Sequence, residues 1–532
     1  MFRQLFRRKS LDLLLDEMAG EHRLRRVLGP VTLTCLGIGA VIGAGIFVAT
    51  GEAARNVAGP ALMLSYVVAG VTCIFAALCY AEFASMAPVA GSAYTYAYTT
   101  LGELFAWIIG WDLVLEYAVG ASTVANAWSS YFQRVLAKFG IALPPALSGP
   151  PYVYDKDKGQ FIANTIKGTI QAAGGPQEVV LGSGMVNLLA ILIVAVVTLV
   201  LVIGIRESAG FNALMVFVKL AAVLFVILVG AFYVERKNWH PFAPMGWTGI
   251  SFFGIPVHGR TTPKGEPLGM LAGAAIIFFA YIGFDSVSTH AEEARQPQRD
   301  VPIGIIASLV ICTVLYVGVV AVLTGMVPYG QIDPNAGVSK AFDQQGLPWA
   351  EFLIAAAGVA GITSVLLVMM LSAPRVFLAM ARDGLVPASF FAAVHPRFRT
   401  PWKSTLLVGG FVAALAGFLP IDALLHLTNI GTLFAFVIVC SAVLVMRRIN
   451  PGAARPFRCP MVPVVPLLGI ATCLLLMFSL PAANWLRLFI WLGIGLLIYF
   501  LYGRHHSHLG KSLRDEISKH GVSPGGALDP EP

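Results

Sequence analysis

The sequence predicts an all-α integral membrane protein with twelve transmembrane helices. Three observations predict it. Only 12% of the 532 residues are charged and 57% are hydrophobic, where a soluble chain is about 25% charged. The mean hydropathy is +0.77. Apolar runs of about 20 residues, the length that crosses a bilayer, recur along the chain. They are continuous, without the period-two alternation of a membrane β-barrel. The first and sixth runs are interrupted by glycine and by an acid, as in transporters built from discontinuous helices.

In order, residues 1–30 form an amphipathic cytoplasmic segment with acidic residues and no long apolar run, so they are not a cleavable signal peptide. The predicted spans are 31–50, 59–82, 102–130, 184–204, 211–234, 268–288, 302–327, 351–380, 403–419, 423–446, 461–481 and 484–503. Spans one to ten (31–446) form a transport core, 461–503 hold two accessory spans, and 504–532 form a cytoplasmic tail. The tail starts basic and ends in SPGGALDPEP, a composition expected to be disordered. Residues 144–151 and 254–267 are rich in Pro and Gly and are expected to be irregular.

The net charge is +8, carried at the two ends and in alternate loops. That pattern places both termini in the cytoplasm and the loops 131–183 and 235–267 outside. No basic patch with interleaved aromatics is present, which argues against nucleic-acid binding. The seven cysteines lack metal-ligand spacing and read as small buried hydrophobes.

The stretch GIGAVIGAGIFVATG, Gly37 to Gly51, carries five glycines, four of them in the first span and the fifth at its end. A dinucleotide loop would need G-x-G-x-x-G after a strand. Here the third glycine comes one place late and no strand precedes it. Close helix packing through Gly39-x-x-x-Gly43 explains part of the run, but not Gly43-Ala44-Gly45. A helix unwound at membrane depth explains the rest, because irregular backbone is tolerated where it lines a cavity. Such a break in span one calls for a partner in span six. Span six supplies FFAYIGFDSVSTHAEEA, residues 278–294, with Gly283 and Asp285 in mid-run. Freed amides at Ala44, Gly45 and Ile46, beside Val41, suit a carboxylate at the positive end of a half-helix. Freed carbonyls of Phe279, Ala280 and Ile282 suit an ammonium. An α-amino acid carries both groups.

These residues, with YAEFASMAPVAGSAYTYAY (80–98), PRVFLAMARDGLVP (374–387) and RPFRCPMVPVVPLLGI (455–470), resemble the amino acid–polyamine–organocation superfamily. The last motifs resemble its cationic amino acid transporter subfamily. The resemblance spans about 25–503, with the motifs in order. It implies the five-plus-five inverted repeat of the leucine transporter plus two spans, in a bacterial inner membrane. Some members of the subfamily have fourteen spans; this chain shows twelve. It implies amino acid transport by proton symport or exchange, with no cofactor beyond the coupling H⁺. An exchanger or a polyamine carrier is the alternative, although a polyamine offers no carboxylate to the span-one amides. The accepted side chain, the oligomeric state and any small membrane-protein partner stay open.

Ionisable residues at membrane depth are read as functional first. Lys219 in span five is either a lysine snorkelling to the interface or the proton-coupling group. Desolvation disfavours its charged form, and by resemblance its ammonium stands where sodium-coupled relatives hold Na⁺. Glu116 in span three, one turn after Asp112, is a structural acid or a pocket carboxylate. Asp285 is read as an N-cap of the second half of span six or as a gating residue, two roles that are compatible. Glu292 and Glu293, with Arg375 and Arg26, form a solvated charged loop or, by resemblance, an inner gate. Met369 and Met370 are core residues, of which Met369 is the candidate for limiting substrate size. By resemblance Phe284 is the candidate for the outer aromatic gate. A channel or an enzyme is disfavoured: the spans are many, and no nucleophile–base or metal cluster is visible.

Overall fold

The computed structural model describes residues 2–10, 28–87, 92–155, 160–172, 175–203, 208–263, 265–334, 336–398 and 400–512. The fold is mostly helical. Among the described residues eight helical stretches are long and apolar enough to cross a membrane, and three more apolar helices are shorter. Each predicted apolar run falls on one or more helices.

The first is α1 (Pro30–Val41), which breaks and continues as α2 (residues 45–58), a mixed turn of π- and α-helix. Then follow α3 (Leu62–Met86), α4 (Ser92–Thr100), α5 (Glu103–Lys138), α6 (Leu188–Ile203) and α7 (Ser208–Gly230). The sixth run is divided into α8 (Met270–Ile277) and α9 (Ser286–Thr289). After it come α10 (Pro297–Met326), α11 (Gly337–Gln344), α12 (Pro348–Arg382), α13 (Trp402–Phe418), α14 (Ile421–Ile449), α15 (Val464–Met477) and α16 (Ala482–Ile498). Proline opens α10 and α12, where its missing N–H has no intrahelical partner to lose.

The helices pack in two sets. In one, α10 lies along α1 and α3, and α8 lies against α3. In the other, α12 lies along α5, and α13 along α6. Helix α7 packs on α1, α10 and α12, and α14 packs on α3 and α5, so each touches both sets.

The loops depart from an all-α reading. Four antiparallel hairpins occupy them: Tyr152–Asp155 with Gln160–Ala163, Thr165–Ala172 with Gly175–Ser183, Ile250–Phe252 with Ile255–His258, and Arg260–Thr261 with Pro267–Leu268. Within 254–267 the residues 255–258, 260–261 and 267 are therefore in strands, and the rest of the described residues there are irregular as expected. The turn Phe253–Gly254 has φ of 48° and 85°, and positive φ at both central residues is what a tight hairpin turn needs. The tail also differs from expectation over 504–512, which is packed. The Gln4 amide nitrogen donates to the Arg504 carbonyl at 2.8 Å and to Glu103 at 3.1 Å. Glu103 also accepts from Tyr98, Tyr499 and Ser507. One buried carboxylate thus gathers donors from both ends of the chain at one end of the molecule. Residues 513–532 lie outside the described residues.

Candidate substrate and coupling site

The break in the first helix is local and complete. Ile42 takes an extended conformation (φ −74°, ψ 107°) and closes α1 through its amide on the Ile38 carbonyl. The restarted helix opens with the Phe47 amide donating to the Gly43 carbonyl at 3.3 Å. In an unbroken helix the carbonyls of Gly39, Val41 and Ile42 would receive the amides of Gly43, Gly45 and Ile46. Side chains take those carbonyls instead. The Lys219 ammonium, fully buried, donates to Gly39 at 2.6 Å and to Ile42 at 2.9 Å. The Tyr316 hydroxyl reaches the Val41 carbonyl at 2.9 Å. The start of α2 therefore presents first-turn amides at the positive end of a helix.

The sixth helix breaks opposite it. A 3₁₀ turn, Phe278–Tyr281, ends α8; Ile282 is extended (φ −57°, ψ 132°) and Gly283 has φ 115°. The Asn429 amide nitrogen, from α14, holds the last carbonyls of α8 at Ala275 (3.0 Å) and Ile276 (2.9 Å). The Tyr316 hydroxyl also reaches the Ala280 carbonyl at 3.0 Å, so one phenol stands between the two breaks. The breaks touch each other directly. A Cβ built on Gly45 would lie 2.3 Å from Ala280 Cα, and one on Gly283 would lie 2.9 Å from the Ala40 carbonyl oxygen.

The structure thus brings Gly45 against Ala280 and joins the Val41 and Ala280 carbonyls through Tyr316, with Ala44 and Ile46 flanking Gly45, Phe279 and Ile282 in the facing break, and Lys219 at the end of α1. Phe279 already accepts the Ile282 amide at 3.3 Å, and Ala280 accepts Tyr316. Each carbonyl keeps a second lone pair for a ligand. Met369 is buried, and its sulfur would lie 3.2 Å from a Cβ on Gly120 of α5.

Beside the breaks stand buried acids. Glu116 and Asp112 are 2% and 1% exposed; the Asp112 carboxylate has no hydrogen-bond partner among the described residues, and the Glu116 carboxylate faces the Thr432 hydroxyl. Asp285 does not cap the second half of its helix. It is itself helical in backbone, makes no side-chain cap bond, and its Oδ2 accepts the Tyr117 hydroxyl at 2.5 Å. A cap needs an extended residue whose side chain can turn back on the helix, and Tyr117 of α5 competes for the carboxylate. Phe284 lies past the break, on the Glu293 side of it in the chain. It is fully buried, with ring contacts to Tyr80 and Phe436.

At the end of this segment Arg375 Nη2 donates to Glu293 Oε1 at 2.9 Å. The pair joins α12 to the chain after α9. Leu28 and Glu293 are tied by backbone, the Leu28 amide donating at 3.0 Å. Glu292 is placed in the same turn, but its side chain, like the whole of Arg26, lies outside the described residues. A second tie runs from Glu82 of α3 to Arg447 of α14 by two bonds, 3.1 and 2.7 Å, and to the Cys459 amide at 2.7 Å. If the Arg375–Glu293 pair closes a path, Arg375→Ala opens it. The expected result is uptake reduced about tenfold with the protein still folded, checked by transport rate beside a thermal melt. Equal loss of uptake and of thermal stability would mark the pair as structural.

Sequence reasoning missed Tyr316, Tyr117 and Asn429. A tyrosine or asparagine inside an apolar run is the signal that was present, because a polar group at that depth needs a partner.

A helical membrane protein with two opposed discontinuous helices, a lysine in one break and buried acids beside them has the architecture of a small-molecule transporter. Comparison with known proteins agrees. The amino acid permease family matches residues 28–499, and the chain belongs to that family, within the amino acid–polyamine–organocation superfamily. It is 45% identical over 508 residues to the branched-chain amino acid permease BcaP of Bacillus subtilis, covering 95% of this chain and 99% of the relative. It is 43% identical over 507 residues to the methylthioribose transporter of the same organism, with the same coverage. A vacuolar cationic amino acid transporter 4 of Arabidopsis thaliana is 37% identical over 450 residues, 84% of this chain and 68% of the relative. The chain is a multi-pass membrane transporter and not an enzyme.

Proposed function

We propose that this protein is a proton-coupled symporter that carries L-amino acids into the cell by alternating access. The observation that carries the reading is the Lys219 ammonium on the Gly39 and Ile42 carbonyls. A fixed cation fills the place where the break in α1 needs positive charge, so no metal ion is required there. When the ammonium loses its proton it keeps donors but loses its charge, and its grip on the end of α1 weakens. Proton binding and the position of α1 are thereby linked.

The substrate carboxylate is read by the amides of Ala44, Gly45 and Ile46, and the ammonium by carbonyls of Phe279, Ala280 and Ile282. Glu116 and Met369 face the side chain, and Phe284, on the Glu293 side of the break and packed on Tyr80 and Phe436, serves as core on the inner-gate side rather than as an outer gate. Glu293, with Glu292, Arg375 and Arg26, forms the inner gate. The five-plus-five inverted repeat is supported by a correspondence across the two halves. Lys219 from the fifth helix holds the end of the first, and Asn429 from the tenth holds the end of the sixth. The protein lies in a bacterial inner membrane with both termini cytoplasmic.

The BcaP relationship favours branched-chain and other neutral amino acids. The methylthioribose relationship raises a second substrate, a sugar thioether with neither carboxylate nor ammonium. The test is uptake of labelled leucine, alanine, arginine and methylthioribose into proteoliposomes, with and without an inward proton gradient and with and without sodium. Gradient-driven, sodium-independent amino acid uptake is expected. Uptake indifferent to the gradient would leave an exchanger, and saturable uptake of methylthioribose alone would replace the substrate class.

A further inference from the structure

We propose that Asn429 is the positioning residue of the sixth-helix break: it holds the end of α8 without charge, so that the ammonium of an amino acid can be read there. This rests on the amino acid reading above and gives Asn429 a part in reading the substrate that it did not assign.

The geometry is specific. Asn429 is fully buried in α14. Its Nδ2 donates to two successive carbonyls, Ala275 at 3.0 Å and Ile276 at 2.9 Å. In an unbroken helix those carbonyls would receive the amides of Phe279 and Ala280. Here α8 has tightened into the 3₁₀ turn Phe278–Tyr281, and such a turn moves amides off their i−4 carbonyls. The side-chain amide replaces them, with both of its N–H groups in use. Without it the Ala275 carbonyl at membrane depth would lack its donor and the Ile276 carbonyl would keep only the Phe278 amide, and the cheapest repair would be to rewind α8 through the break.

Its oxygen is the second observation. Asn429 Oδ1 is buried and has no hydrogen-bond partner among the described residues. A buried acceptor left unpaired is costly and calls for a donor. A bound ammonium supplies it, directly or through one water.

The comparison with Lys219 says why this residue is neutral. Both side chains hold the last carbonyls of a broken helix with two hydrogen bonds. A lysine at 429 would hold α8 as well, but would set a cation against the carbonyls meant for the substrate cation. An asparagine gives the same donors and repels nothing. The two halves thus divide their work, with charge held by the protein in the first break and by the substrate in the second.

The experiment compares L-leucine with 4-methylpentanoate, which keeps the side chain and carboxylate and lacks the ammonium. In proteoliposomes, KM for labelled leucine and the inhibition constant of 4-methylpentanoate are measured for the native protein, Asn429→Leu and Asn429→Ser. The expected result is a leucine KM raised about tenfold or more in Asn429→Leu, less in Asn429→Ser, with the weak inhibition by 4-methylpentanoate unchanged. An equal loss for both compounds, or no change for either, overturns the proposal. If Asn429→Leu does not fold, Asn429→Ser, which keeps one donor, carries the test through the same ratio. Failure of the native protein to take up leucine would count against the amino acid reading and would be seen before any variant.

Discussion

Lys219→Ala and Lys219→Met are expected to abolish uptake driven by a proton gradient while leaving the protein folded. The ammonium is fully buried and makes two short bonds, 2.6 and 2.9 Å, to the end of α1. Hydrogen bonds to a charged group contribute about 1.5–3 kcal/mol each. Two of them bias the position of α1 by roughly a hundredfold or more. Folding suffers less, because removing the lysine also removes the cost of burying an ammonium. Methionine is the sharper variant. The stem of Lys219 is wedged against Gly361, where a Cβ would lie 3.2 Å from Lys219 Cβ and 3.4 Å from its Cδ. Methionine keeps that stem and loses only the donors and the charge. Initial rates of leucine uptake with and without the gradient decide the matter, beside counterflow in vesicles preloaded with unlabelled leucine. Loss of gradient-driven uptake with counterflow retained would make Lys219 the coupling group. Full gradient response in Lys219→Met would reduce it to a structural cap.

Much of this was legible before any coordinates. The apolar runs became helices because nothing in a bilayer competes with intrahelical hydrogen bonds. Both breaks were legible because glycine in a membrane run has few other uses, and Lys219 because a buried charge is conspicuous. Their partners were not. Lys219 binds carbonyls, which every residue carries, so only packing decides that they are Gly39 and Ile42. Tyr316 looks like core in an apolar run, yet its hydroxyl reaches two carbonyls that lie far apart in sequence. Asp285 was assigned a cap by its place in the chain, but the Tyr117 hydroxyl from α5 took the carboxylate. The hairpins in 250–268 were hidden by glycines in the turns, such as Gly254, and by Pro256 and Pro267, which here sit in short paired strands.

Gly45→Ala is expected to cost more than any other glycine substitution in the first helix. Its Cβ would lie 2.3 Å from Ala280 Cα, 2.4 Å from Ala280 Cβ and 3.1 Å from the Ala280 nitrogen. Two of these three atoms are backbone and the third, the Cβ, is fixed to it, so none can rotate away. The two breaks must separate, and with them the amides and carbonyls that would read the two ends of an amino acid. Overpacking of this kind costs about 1–3 kcal/mol in stability. The loss in binding is larger in proportion, because both sets of contacts depend on the same separation; a leucine KM raised about a hundredfold is expected. Gly37 provides the control. A Cβ there would meet Ser308 Oγ at 2.4 Å and Ser308 Cβ at 2.7 Å; a new rotamer moves the hydroxyl but not the Cβ, so α1 must shift off α10, on the side away from the break. Gly37→Ala should therefore lower the melting temperature, as overpacking between helices does, and leave KM within about twofold. Gly283→Ala falls between them in contact but adds backbone strain. Its φ is 115°, and its Cβ would lie 2.9 Å from the Ala40 carbonyl oxygen. The order of KM values, Gly45→Ala above Gly37→Ala, separates a binding site made of touching backbones from ordinary close packing of helices. In the latter case both substitutions would act on stability alone.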